Sequence, residues 1–215
     1  MAKQVIWQAL YSYIVLPFLY ITLKVVALKN KKLQETLHGH KGLWERAKVQ
    51  ISARDNNKIL IWFHVASAGE YLQALPVMER LMQNGMQCAL TVTSISGIRW
   101  AQKQKEQYQN LIFLDYLPLD TKKNMDRLIN LINPNALVFV KFDLWPNLIW
   151  QAKQHNIPQL LISATLHEKS KRLTSFIARA FYQSLYSSIN KILAVTKDDK
   201  ERFLKTAPNI IFIFL

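Results

Sequence analysis

Glu70 is the first charged residue after the apolar run in "WFHVASAGEYLQALP" (62–76). A carboxylate there can simply open the next helix, where the helix dipole favours it. It can also take a proton from a substrate hydroxyl, provided partial desolvation lifts its pKa. Ser67, three residues earlier, has no His/Asp pattern around it and does not read as a nucleophile. His64 reads equally as a core histidine with a backbone partner or as a functional group. A second acid, Asp143, lies in "KFDLWPN" (141–147), where Trp145 and Pro146 suit packing and helix initiation. Gly97 in "LTVTSISG" would let the backbone approach closely, or merely start a helix. The lone Cys88, in an apolar run, excludes an internal disulfide and reads as a buried, inert thiol. No Cys or Cys/His pair has metal spacing, so no metal site is expected.

These residues need a frame, and the frame reads as α/β. "KILIWFHV", "MQCALTVT", "NLIFLDY", "NALVFVKF", "IPQLLIS" and "NKILAV" are short apolar runs separated by helical patterns. Helices are expected over 71–85, over about 97–107, after a cap at Asp120, and near 146–155 and 169–188. Near-continuous apolar strands alternating with helices mean a parallel sheet with helices on both faces. Six such strands describe one doubly wound domain. Ligands of such sheets bind beyond the carboxyl ends of the strands, where Ser67–Glu70, Ser94–Gly97, Leu117–Asp120, Asp143–Asn147 and Ser163–Ser170 fall. Neither G-x-G-x-x-G nor a Walker-type loop is present, which argues against an ordinary dinucleotide- or ATP-binding domain.

The amino terminus differs from the rest. Residues 4–23, "QVIWQALYSYIVLPFLYITL", carry no charge and, as a helix, reach roughly 30 Å. Trp7, Tyr11, Tyr13 and Tyr20 favour a membrane interface, whereas Gln4, Gln8, Ser12 and Pro17 weaken the apolar signal. A helix lying in the interface is therefore weighed beside a spanning one and a soluble core helix. Lys24, Lys29, Lys31 and Lys32 follow it and keep what comes next on the cytoplasmic side. Over all 215 residues Lys and Arg outnumber Asp and Glu by 28 to 14, a net charge of +14. Such a surface seeks polyanions, and with no nucleic-acid-binding motif the expected partner is an anionic membrane leaflet.

Taken in order, "WFHVASAGEYLQALPVMERL", "LTVTSISG", "YLPLD", "FDLWPNLI" and "ISATLHEKS" resemble the 3-deoxy-D-manno-oct-2-ulosonic acid (Kdo) transferases of lipid A biosynthesis, over roughly residues 5–205. The resemblance implies the Rossmann-like N-terminal domain of a GT-B glycosyltransferase, preceded by a membrane-anchoring helix. It places the family's general base on Glu70. Acceptor or transition-state contacts are implied for Asp143, Ser67, Gly69, Gly97, Lys169 and Ser170. The departures are specific. The pattern E-x-E-L-W-P-N appears here with Lys141 and Asp143 at the two acids, and A-R-L-S-x-R-S appears with Thr165 at an arginine and His167 at a serine.

The expected reaction is transfer of Kdo from CMP-Kdo to a lipid A precursor, by an inverting displacement without metal or cofactor, on the cytoplasmic face of a bacterial inner membrane. Another membrane-associated GT-B glycosyltransferase and a non-catalytic glycolipid-binding fragment are the alternatives. Expected units are an anchor with basic flank (1–32), a connecting segment (33–57) and a Rossmann-like acceptor domain (58–207). The final residues, 208–215, read as a further strand or as the aberrant end of a truncated chain that lacks the donor domain.

Overall fold

The computed structural model describes residues 2–207 and 211–214; for 2, 3 and 211–214 only the backbone is considered. Seven parallel strands form one sheet: β1 (Leu60–Val65), β2 (Gln87–Val92), β3 (Leu111–Tyr116), β4 (Ala136–Val140), β5 (Gln159–Ala164), β6 (Lys191–Ala194) and β7 (Ile211–Phe214). Their order is β3-β2-β1-β4-β5-β6-β7. The six expected strands are present with trimmed ends, and residues 211–214 add a seventh that pairs Ile211 with Lys191. The chain steps outward from β1 to β3, then returns to place β4 beside β1, pairing Trp62 with Leu137 and His64 with Phe139. This reversal opens a crevice at the carboxyl ends of β1 and β4.

Burial on both sides explains the unbroken apolar runs. Trp62 faces one core, with Phe113, Met125, Leu148 and Trp150, whereas its neighbour Phe63 faces the other, with Tyr71, Met78 and Leu90. Helices α5 (Ala68–Gln83) and α6 (Ile95–Lys105) link the first three strands. Helices α7 (Lys122–Ile132), α8 (Pro146–Gln154), α9 (Lys171–Thr174), α10 (Phe176–Tyr186) and α11 (Lys197–Leu204) serve the others. The single helix expected over 169–188 breaks at Ser175, whose extended backbone and side chain start α10 anew by accepting from the Ala178 amide. The Cys88 thiol is buried and desolvation pushes it up to about 12, so it is inert at neutral pH.

Before the sheet, α1 (Ala2–Leu10), a π-helical turn (Tyr11–Val15) and α2 (Leu16–Ala27) run as one continuous helix. Pro17, in the first turn of α2, has no amide to give, and the widened turn before it absorbs that loss. The first half of this helix lies on the domain. Trp7 packs edge-on against Phe181 at 5.5 Å, and Tyr11 against Trp150 at 6.2 Å. Its outer face leaves Tyr13, Ile14, Phe18, Ile21 and Val25 exposed. The segment expected as a mere connection instead folds into α3 (Lys31–Gly39), capped by Asn30, and α4 (Leu43–Ile51). Arg46 of α4 grips Asp115 of β3 with two bonds of 2.8 Å.

Most helices that follow a strand start on a neighbouring hydroxyl: Ser67, Ser94, Thr121, Ser170 and Thr196 each accept an amide of the first turn. The cap expected at Asp120 is therefore wrong for α7, which Thr121 caps by accepting from the Asn124 amide at 3.1 Å. Asp120 turns inward and caps α8 instead. Its two carboxylate oxygens accept from the Asn147 and Leu148 amides at 3.0 and 2.9 Å, and Tyr11 also hydrogen-bonds to it. Complete burial pushes its carboxyl up to about 7, against the pull of those three donors. The folded chain thus holds that proton more tightly than the unfolded one, so this group's contribution to stability declines as pH rises from 3.8 toward about 7. Urea titrations should show Asp120→Ala costing on the order of 3 kcal/mol, because two amides and a hydroxyl lose their acceptor. Asp120→Asn should flatten the decline in stability between about pH 5 and 7.

Candidate active site

Glu70 and Asp143 follow β1 and β4, the adjacent strands at the sheet's reversal. Ser67 caps α5 by accepting from the Glu70 amide at 3.3 Å, which places Glu70 in the first turn. The Glu70 carboxylate bends back to accept the Ala66 amide at 2.6 Å through one oxygen, Oε2. It is only 6% exposed. Burial raises its pKa, the Ala66 amide lowers it, the Asp143 charge raises it, and His64 and Lys141 lower it; the net shift is upward. An acid with one engaged oxygen and a raised pKa is better suited to accept a proton than an ordinary carboxylate.

Asp143 is held the opposite way. Its Oδ2 accepts from His64 Nε2 at 3.0 Å, Trp145 Nε1 at 3.0 Å and Thr93 Oγ1 at 3.4 Å. Burial alone would raise its pKa, but the hydrogen bonds from those donors, His64 first, outweigh burial and hold the carboxyl below its ordinary value. Asp143 therefore stays ionised while Glu70 is drawn toward protonation.

Among the described residues no backbone group hydrogen-bonds the His64 ring. It is fully buried, and its Nδ1 lies 2.9 Å from Thr91 Oγ1, which also accepts the Trp62 indole N–H at 2.9 Å. The Thr91 hydroxyl is 3.5 Å from the Phe63 carbonyl, so its proton is better placed on His64 Nδ1. The geometry fits the tautomer with hydrogen on Nε2, aimed at Asp143. Thr91, Thr93 and Trp62 have no local motif that marks them. Only the pairing of His64 with Thr91 across β1 and β2 brings them in.

The glycines divide. A Cβ on Gly69 would meet only Ser67 Oγ at 3.9 Å, so space is open there. A Cβ on Gly97 would come within 2.6 Å of Val92 and 3.1 Å of the Ser67 backbone. Gly97 thus serves the close approach of α6 to the Glu70 turn. Lys169 and Ser170 stand apart: Ser170 Oγ caps α9, the Lys169 side chain is exposed, and no described hydrogen bond joins either to Glu70 or Asp143.

A cavity of about 1210 Å³, lined by neither acid, reaches Thr93 and Trp145, the two residues that bond to Asp143. Thr93, Ser94 and Trp145 belong to the site; Leu16, Leu19 and Leu23 of α2 and Trp100 of α6 are apolar walls; Lys32, Arg99 and Lys103 supply cations. On the other side of the amino-terminal helix a second cavity of about 620 Å³ reaches Asp143 past Trp7 and Phe181. An apolar chain with an anionic head matches the chemistry of the larger one.

The profile of the family described as 3-deoxy-D-manno-octulosonic-acid transferase (kdotransferase) matches residues 41–211. The chain belongs to the Kdo transferase family. It is 26% identical over 200 residues to the 3-deoxy-D-manno-octulosonic acid transferase of Haemophilus influenzae, covering 92% of this chain and 45% of that protein. Its identity to the enzyme of the same description from Chlamydophila psittaci is 31% over 67% of this chain and 33% of the relative. For that of Bordetella pertussis it is 25% over 69% and 35%. The chain spans less than half the length of these relatives. In fold it is similar to a Listeria monocytogenes protein described as a UDP-N-acetylglucosamine 2-epimerase, with a TM-score of 0.51 at 13% identity over 68% of this chain and 41% of that one.

Within this candidate site, Thr91→Val keeps the shape of residue 91 but leaves the Trp62 N–H and His64 Nδ1 without their partner. Urea unfolding should register a loss of about 1–3 kcal/mol. An unchanged midpoint would show that the chain from Trp62 to Asp143 is not under tension from Thr91.

Proposed function

We propose that this chain is the membrane-attached, acceptor-binding part of an enzyme that transfers Kdo from CMP-Kdo to a lipid A precursor, lipid IVA. The observation that carries the reading is the split pair, Glu70 raised and Asp143 lowered, beside an apolar cavity with cations. The acceptor's acyl chains would lie along α2 and α3, and its phosphates would meet Lys32, Arg99 and Lys103. A sugar hydroxyl would point to the crevice, with Asp143 accepting a second hydroxyl through its free Oδ1. As the hydroxyl oxygen bonds to the anomeric carbon of Kdo, its proton passes to Glu70, and the bond to the CMP phosphate oxygen breaks. One displacement of this kind inverts the anomeric centre. Contacts to CMP are assigned to the portion of the relatives' length that this chain does not span.

Residues 1–32 serve as the anchor. Because the first half of the helix is docked through Trp7, Tyr11 and Leu16 and the helix shows Tyr13, Ile14, Phe18 and Ile21 outward, an in-plane position in the cytoplasmic leaflet of the inner membrane fits better than a spanning one. The net charge of +14 favours that anionic surface.

The test is transfer from freshly generated CMP-Kdo to a tetraacyl lipid A precursor by membranes bearing this chain, alongside Glu70→Gln. Transfer should fall by about 10²–10⁴-fold in the variant, with vesicle binding retained. Transfer of equal rate in the variant would remove Glu70 from the base role. Vesicle binding without transfer in the wild type would confine the chain to acceptor binding.

A further inference from the structure

Lys141 is the first residue beyond β4, and its φ is +64°. A side chain in that left-handed region costs of order 1–3 kcal/mol unless the surroundings impose it. Here they do. The Lys141 amide donates to the Ile162 carbonyl at 2.8 Å, and Arg172 donates to the Phe142 carbonyl at 3.4 Å. On the neighbouring strand Ser163 is held at φ +50°, so both strand ends at this crevice are bent in the same unfavourable way.

The bend carries a cation whose charge reaches Glu70. The Lys141 ammonium sits 5.2 Å from the centre of the Phe142 ring, and its charge acts on Glu70. Lys141 is half-buried, yet no described ion pair includes it. The nearby carboxylates are otherwise engaged, Asp143 by His64, Trp145 and Thr93, and Glu70 by the Ala66 amide. In the pattern this turn resembles, an acid stands at 141 and an arginine at 165; here residue 165 is Thr, and the positive charge is at the end of β4.

A half-buried cation without a counter-ion, at a strained position on the ligand side of a parallel sheet, is matched by an anion that arrives with substrate. We propose that Lys141 holds a substrate oxyanion, a carboxylate or a phosphate, beside the hydroxyl that Glu70 deprotonates. The inference rests on the crevice being the substrate site. The carboxylate would come from the transferred sugar acid, the phosphate from the acceptor.

Two soluble probes separate these sources: free Kdo, which has a carboxylate and no phosphate, and the deacylated glucosamine disaccharide bisphosphate, which has phosphates and no carboxylate. Each is titrated calorimetrically into the wild type, Lys141→Gln, Lys141→Arg and Lys141→Gly. Loss of a charge-assisted bond should weaken one probe by about tenfold or more in the Gln and Gly variants. The Arg variant, which keeps the charge, should stay within about threefold. Lys141→Gly relieves the φ strain, so it should unfold at no lower temperature than the wild type while still losing affinity. Unchanged binding of both probes by Lys141→Gln, or no saturable binding of either by the wild type, overturns the proposal. Lys141-dependent binding without any Kdo transfer would confine the chain to substrate binding and leave this proposal standing.

Discussion

Helix α8 takes its cap from another loop. The amides of Asn147 and Leu148 end on the buried Asp120, 27 and 28 residues earlier in the chain, while the local cap position is held by Trp145, which offers no acceptor. This frees Trp145 to use its indole on Asp143. Asp120 also bonds Tyr11, and Ser12 donates to Asn147 Oδ1 at 3.1 Å, so the amino-terminal helix is tied by polar bonds to the turn that carries the site. Ring contacts of Trp7 and Tyr11 add apolar attachment. A helix whose outer face suits a membrane thus has its inner face bonded to residues at the candidate crevice. The larger cavity depends on that docking, because α2 is one of its walls.

The second constraint is the row Trp62, Thr91, His64, Asp143. Trp62 donates to Thr91, Thr91 lies closest to His64, and the row ends on a carboxylate that accepts from three side chains. A desolvated acid with few donors and one with many then stand on adjacent strand ends. Environment, not residue type, separates their protonation, as expected where two acids must take different roles.

The sheet was legible because both its faces are buried, which makes each strand an apolar run that no amphipathic helix would show. Glu70 and Asp143 were legible by position, since a doubly wound sheet gathers ligands at the carboxyl ends of its strands. What was not legible is non-local. Asp120 and Thr121 are both good cap residues side by side, and nothing near them says that the first serves a helix beyond the next strand. His64 finds its acid 79 positions away, and Thr91 and Thr93 look like ordinary strand residues. The helices α3 and α4 were hidden by high charge, which blurs an apolar stripe. Lys169 and Ser170 were expected from a motif, but the Ser170 hydroxyl is occupied as a cap.

The division of labour between the two acids can be measured directly by following the side-chain carboxyl carbons of Glu70 and Asp143 by NMR across a pH titration, assigned with Glu70→Gln and Asp143→Asn. Glu70 should titrate above the ordinary glutamate value of about 4.3 and Asp143 below the ordinary aspartate value of about 3.9. An Asp143 that titrates above Glu70 would reverse the roles, making the acid beside His64 the proton acceptor and Glu70 a helix-opening carboxylate.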